Sequence, residues 1–191
     1  ESESLECCYN ATDTESLIEK IESCGDALAC LVVECPTNPL AQVSDLGRIA
    51  EVVRRCGGVL MVDPTIGSIY NVDVLAHADI LVTSLTKYAA YEADVMIGAL
   101  TINPSSPAYG DLVLRTSSYY QPAYNRDLAR LAYEMDWAPE VVARMCANAR
   151  LLADFLSGHA AVKKVHYAGD SEHFVKVARG ADTGGAMVAI E

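Results

Sequence analysis

The chain has 191 residues, of which 51% are hydrophobic and 21% charged, a composition that buries a sizeable core and excludes a disordered or collagen-like chain. Fourteen Lys and Arg against 26 Asp and Glu leave a formal charge of −12. Such a surface repels phosphate backbones and anionic lipid, so neither nucleic acid nor a membrane is an expected partner.

Near the start, Thr12-x-x-Glu15 has a capping-box spacing, and Leu17, Ile18 and Ile21 follow at helical intervals. Ala27 to Val33 is a short continuous apolar run and predicts a strand buried on both faces. Ser44-Asp45 caps a second helix, with Leu46, Ile49, Ala50 and Val53 on one side and Gly57-Gly58 ending it. Further strands are predicted over Val59 to Val62, Ile80 to Thr83 and Val95 to Ile102, the last closed by Asn103-Pro104. All-apolar strands alternating with helices indicate an α/β domain whose mostly parallel sheet carries helices on both faces.

Beyond about residue 124 the pattern changes. Helices are predicted over Asn125 to Met135 and Pro139 to Leu156, then a strand over Val162 to Tyr167, a short helix near Glu172 to Arg179, and a final strand. The organisation expected is therefore a large α/β domain over 1–138, followed over 139–191 by a connecting helix and the start of a smaller α+β C-terminal domain. Both ends stop abruptly and no starting Met is present, as expected for part of a longer protein. No apolar stretch reaches a membrane-spanning length, and the opening Glu-Ser-Glu-Ser is no secretory leader. Seven cysteines, an odd number without paired C-x-x-C spacing, predict small core residues in a reducing compartment rather than a zinc site, and hence a cytoplasmic location. The four histidines share no metal-like spacing, so no metal is expected.

In open parallel sheets ligands lie beyond the carboxyl ends of the strands. Three such ends stand out here: Glu34 to Pro39, Asp63-Pro64-Thr65, and Ser84-Leu85-Thr86-Lys87-Tyr88. Together they offer an amide at Asn38, a carboxylate at Asp63, hydroxyls at Ser84 and Thr86, and an amine at Lys87. A lysine past a buried strand, beside a neighbouring carboxylate, suits a carbonyl-binding amine whose pKa is lowered by desolvation. If the carbonyl were that of pyridoxal phosphate (PLP), Asp63 would pair with the pyridine nitrogen, Ser84 and Thr86 with the phosphate, and Asn38 with the ring hydroxyl or a substrate carboxylate. Taken singly, each of these residues is more simply a solvated lysine, a turn-forming Asp or a polar loop side chain.

From Ala27 to Asn103 the chain resembles the cysteine/methionine-metabolism family of PLP enzymes, the group of cystathionine γ-synthase, cystathionine lyase and methionine γ-lyase. Glu34-Cys35-Pro36-Thr37-Asn38-Pro39-Leu40 is similar to that family's E-T-P-S-N-P-L, and Val59 to Thr65 to its V-V-V-D-N-T strand. Ala78 to Tyr88 resembles A-D-I-V-V-H-S-A-T-K-Y, and Asp94 to Gly98 resembles D-V-I-G-G. Arg144-Met145-x-x-Asn148-Ala149 and Gly184-Gly185 continue the likeness.

The resemblance implies the large domain of a fold type I PLP enzyme, with Lys87 bonded to the cofactor aldehyde, Asp63 on the pyridine nitrogen, Ser84 and Thr86 on the phosphate, Thr65 near the ring, and Asn38 toward cofactor or substrate. It implies β- or γ-elimination or replacement on sulfur-containing or O-acylated amino acids, with Lys87 as the base, in a homodimer or homotetramer. It also implies that the phosphate turn and ring-stacking tyrosine precede residue 1 and that the carboxylate-gripping arginine follows residue 191. The 191 residues alone are then expected to bind cofactor weakly and to be inactive. Departures mark a divergent member, and leave a catalytically lapsed binding subunit or another fold type I enzyme as alternatives. D-N-T-F is Asp63-Pro64-Thr65-Ile66, G-H-S-D is Tyr91-Glu92-Ala93-Asp94, and R-G-L-K-T-L is Asp136 to Val141.

Overall fold

A computed structural model describes residues 10–181 and 183–191; Cys7 and Cys8 lie outside the described residues. Four strands form the main sheet in the order β1-β2-β3-β4: β1 (Cys30–Glu34), β2 (Val59–Asp63), β3 (Ile80–Ser84) and β4 (Gly98–Ile102). The first three are parallel, and β4 runs antiparallel to β3. Helices α1 (Thr14–Cys24) and α2 (Leu46–Arg55) pack over one face. The apolar side chains of α1 (Leu17, Ile21) and α2 (Ile49, Val53) meet Val33, Leu60 and Val62 of the sheet in one core. Each helix has a clear start. Asp45 Oδ1 accepts from Arg48 N ahead of α2, and Asp13 Oδ1 accepts from Ser16 N ahead of α1. The cap of α1 is thus Asp13, one residue later than the Thr12 spacing predicts.

Strand alternation fixes what the other face carries. With Leu31 and Val33, Leu60 and Val62, and Leu81 turned into the core, the intervening Val32, Met61 and Val82 face the opposite way. There the helical cover is sparse among the described residues: Val32 is 62% and Leu100 48% exposed. Cys30, expected in the core, is likewise exposed on this side. Helix α3 (Tyr109–Ser117) packs against β4. It was not anticipated from the sequence, because no side chain caps it and only Leu112 is buried. The strand predicted over Val95 to Ile102 begins only at Gly98.

Past α4 (Asn125–Met135) comes the long α5 (Ala138–Ser157), with Pro139 in its first turn, where a missing N–H costs nothing. Two short strands, β5 (Val165–Tyr167) and β6 (Val188–Ile190), pair antiparallel as a separate sheet, with α6 (Glu172–Val177) between them in sequence. Helix α6 returns to the first core: Phe174 and Val177 join it, and Lys176 Nζ reaches Asp45 Oδ2 at 3.0 Å. Gly184-Gly185 is explained locally. A Cβ at Gly184 would run into the Tyr167 hydroxyl, and Gly185 takes a φ of +86°. Among the described residues no helix is long and apolar enough to cross a membrane.

Buried Asp79 ties the sheet together. Its Oδ2 accepts from Leu60 N at 2.9 Å and its Oδ1 from Ser106 Oγ at 2.6 Å. Replacing it with Ala strands two buried donors, so Asp79→Ala is expected to lower the unfolding free energy by about 3 kcal/mol, and Asp79→Asn by less, as read by urea denaturation. Asp45 generates a pH dependence. Burial raises its pKa, but hydrogen bonds from Lys176 and Arg48 N and the charges of Lys176 and His173 outweigh that and hold it below the ordinary 3.8. Its contribution is then present above the unfolded carboxyl's pKa and lost as the pH falls through the lowered value. Asp45→Asn keeps a capping side chain without the charge. It is expected to be less stable than the parent at neutral pH by about 1 kcal/mol, with the two unfolding curves converging below pH 3.8.

Candidate active site

The alternation that buries Val33 and Val62 turns Glu34, Asp63 and Ser84 to the other face, at the carboxyl edge of three adjacent parallel strands. Glu34 and Asp63 are direct register partners, and Cys35 N donates to Asp63 O at 2.9 Å, holding the two strand ends level. A cavity of about 470 Å³ opens there, lined by Glu34, Pro36, Asn38, Asp63, Thr65, Ile66, Ser84, Lys87 and Tyr88. That size suits a small organic ligand. Five of the six residues singled out from the sequence therefore share one cavity: Asn38, Asp63, Thr65, Ser84 and Lys87.

Each is positioned by its own strand end. Asp63 Oδ1 accepts from Thr65 N at 2.8 Å in an Asx-type turn, which orients the carboxylate and leaves Oδ2 without a hydrogen bond among the described residues. Thr65 turns its hydroxyl sideways: Oγ1 accepts from Ser84 N at 2.9 Å and lies 3.2 Å from Thr83 Oγ1. It thus ties the end of β2 to the end of β3. The loop after β1 folds on Thr37, whose Oγ1 accepts from Gln42 N at 3.0 Å. Asn38 N donates to Glu34 Oε2 at 2.9 Å, so Glu34 both lines the cavity and shapes the loop that carries Asn38. Burial pushes the Tyr88 phenol above its ordinary range, with the charge of Cys146 adding to it, so it stays neutral at physiological pH. Cys35 is fully buried beside the cavity, and burial pushes its thiol up to about 12, which makes it packing rather than a nucleophile.

Two features differ from the sequence reading. Thr86 does not line the cavity. Strand β3 ends at Ser84, two residues before Thr86, so the alternation that would aim the two side chains the same way does not reach it. The Thr86 hydroxyl instead donates to Ile97 O at 3.2 Å and accepts from Ile97 N at 3.0 Å, joining the turn to the segment before β4. Lys87 is exposed, and its amine makes no hydrogen bond or ion pair among the described residues, so the burial expected around it is not supplied by them. Glu34, not assigned a role from the sequence, belongs to the site. The sequence signal for it is that it closes an apolar strand; its register opposite Asp63 comes from the structure.

The comparisons with known proteins bear on the family and the fold. The family described as Cys/Met metabolism PLP-dependent enzyme matches residues 4–191. An L-2-amino-4-chloropent-4-enoate dechlorinase/desaturase from Streptantibioticus cattleyicolor is 32% identical over 94% of this chain and 36% of its own length. A cystathionine gamma-lyase from Bacillus subtilis is 31% identical over 84% of this chain and 42% of its own. Among solved structures, apo CalE6, a methionine gamma lyase from Micromonospora echinospora, superposes with a TM-score of 0.79 at 28% identity, covering 95% of this chain and 50% of that one. The chain thus spans between about a third and a half of these relatives, and its sheet is that of the fold type I large domain. It belongs to the Cys/Met metabolism family of PLP-dependent enzymes.

Proposed function

We propose that this chain carries the cofactor-holding part of a transsulfuration-type enzyme, acting on sulfur-containing or O-acylated amino acids by β- or γ-elimination or replacement. The observation that supports it most is the convergence of Asp63, Ser84 and Lys87 on one cavity beside Asn38 and Thr65. That donor set fits PLP. Asp63 has an unpaired Oδ2 to hold the proton of a pyridine nitrogen, Ser84 a hydroxyl for the phosphate, and Asn38 an amide for the ring hydroxyl or a substrate carboxylate. Thr65, anchored between β2 and β3, forms the wall near the ring, while Thr86 contributes through the backbone it fastens to Ile97. Bound PLP supplies an electron sink for charge developing on the substrate's α-carbon. Lys87 Nζ is the base that takes the α-proton and returns it to the departing or incoming side of the substrate.

The relatives named above are described as acting by lyase or dechlorinase chemistry, and others as a cystathionine gamma-synthase and an alanine racemase, from Neurospora crassa and Aspergillus violaceofuscus. An amino-acid substrate is common to these descriptions and supports the substrate class. We further infer a cytoplasmic homodimer or homotetramer in which 139–191 lead from the large domain into a C-terminal one. The exposed rings of Tyr119, Tyr120 and Tyr124 give apolar area for a second copy. A lapsed binding subunit is disfavoured by the presence in one cavity of a lysine without a bonded partner among the described residues and a carboxylate oriented by Thr65 N.

Borohydride reduction of the full-length protein treated with PLP, followed by peptide mapping, is expected to place the label on Lys87. Lys87→Ala should abolish both label and visible colour, and Asp63→Asn should retain the label while slowing turnover by about a hundredfold or more. A label on another lysine, or none, contradicts the assignment.

A further inference from the structure

Glu134 on α4 has no exposed surface at all, the deepest burial of any charged residue described. Its Oε2 accepts from Glu92 N at 2.9 Å, and its Oε1 lies 3.0 Å from Arg130 Nε as an ion pair without a hydrogen bond, the Nε–H being donated to Asp94. The same guanidinium reaches Glu92 Oε2 at 2.9 Å and Asp94 Oδ2 at 2.8 Å. One arginine therefore gathers three carboxylates, two of them on the segment Tyr91-Glu92-Ala93-Asp94 that follows the lysine. Between those two acids Ala93 takes a φ of +58°, a left-handed conformation that a side chain resists and that only a fixed surrounding maintains. Leu131, on the same helix, packs with Ala89, Ala90 and Val95, and Leu85 and Ile97 border that cluster.

From these contacts we infer that Glu134 and Arg130 are positioning residues for Lys87: they clamp the loop after the lysine onto α4 and so fix where its amine stands in the cavity. The inference rests on the PLP reading above. Residues 85 to 95 have no helix or strand of their own; backbone bonds from Ala90 N to Leu85 O at 2.9 Å, across Lys87, and from Ala93 N to Ala90 O at 2.8 Å shape the turn, and its place in the molecule is set by its neighbours. It is held from outside, at Leu85 and Thr86 on one side and at Ala89, Ala90, Glu92 and Asp94 on the other. Stability alone does not call for a buried carboxylate at 134, because a well-packed apolar side chain of similar volume is commonly as stable. What a carboxylate adds is a directional acceptor for one particular backbone N–H and a fixed seat for Arg130. A reacting amine on a flexible four-carbon stem requires that kind of support, since displacement by about 1 Å costs on the order of a hundredfold in rate.

The test uses the protein with and without PLP, carrying Glu134→Ala or Glu134→Gln. Hydrogen exchange of the PLP-free protein is read over peptides covering 85–95, with β1 and β2 peptides as the reference. PLP affinity and the yield of borohydride-trapped Lys87 are read on the loaded protein. In Glu134→Ala, exchange over 85–95 should accelerate about tenfold while β1 and β2 stay protected, and the PLP dissociation constant should rise by about tenfold or more. Glu134→Gln keeps an acceptor for Glu92 N and should fall between that variant and the parent; if the Ala variant does not fold, the Gln variant decides. Unchanged exchange over 85–95 overturns the inference. So does faster exchange with parental PLP affinity and trapping, which would make the clamp a stabilising contact only. Failure of the parent to trap PLP on Lys87 would instead overturn the functional reading, and the exchange result alone would then judge the clamp.

Discussion

Everything in this molecule that concerns chemistry depends on the register of three parallel strands. Burying Val33 against Val62 in the core under α1 and α2 leaves the next residue of each strand no choice of face. Glu34, Asp63 and, through the same alternation in β3, Ser84 must emerge together on the opposite side. A slip of one residue would send all three into the hydrophobic core. The energy that enforces the site is thus the hydrophobic burial of residues that never touch a ligand. The polar bonds at the strand ends refine it: Cys35 N to Asp63 O, Thr65 N to Asp63 Oδ1 and Ser84 N to Thr65 Oγ1.

The lysine depends on a different device. It stands beyond the end of β3, where strand register has lost its hold, and its turn is fastened by backbone bonds from Leu85 N to Ile97 O and from Ala90 N to Leu85 O together with side chains. Thr86 grips the backbone of Ile97 from one direction, and Arg130 with Glu134 grips Glu92 and Asp94 from the other. The substitutions that set this chain apart from the family pattern in 91–94 are therefore not a loose loop. Of them Glu92, together with the Asp94 that keeps the family pattern, forms one half of an ion-pair cluster whose other half lies on α4.

Much of this was legible in the sequence where local signals and burial agree. The runs at 59–62 and 80–83 are apolar because their strands lie inside the sheet, and each stops at a polar residue that marks the edge. Helix α4 was placed to the residue at both ends. The site residues were singled out because three strand ends carry groups that are individually ordinary and collectively suited to one cofactor. What escaped is equally instructive. For Thr86, the sequence does not show that its hydroxyl bonds both backbone groups of Ile97. Helix α3 lacks both a capping side chain and a broad apolar stripe. The Glu92–Glu134 bond joins residues 42 apart, and no pattern in either segment announces the other. Lys87 was expected to be buried, but local sequence speaks only of the strand before it, not of what covers the amine.

The account stands or falls on Lys87 and Asp63 facing the same pyridine ring. A crystal structure of the protein soaked with PLP measures that directly. Continuous density from Lys87 Nζ to the cofactor, with the ring nitrogen within hydrogen-bond distance of an Asp63 carboxylate oxygen, is the result expected. A ring seated away from that carboxylate, or joined to any other amine, would contradict it.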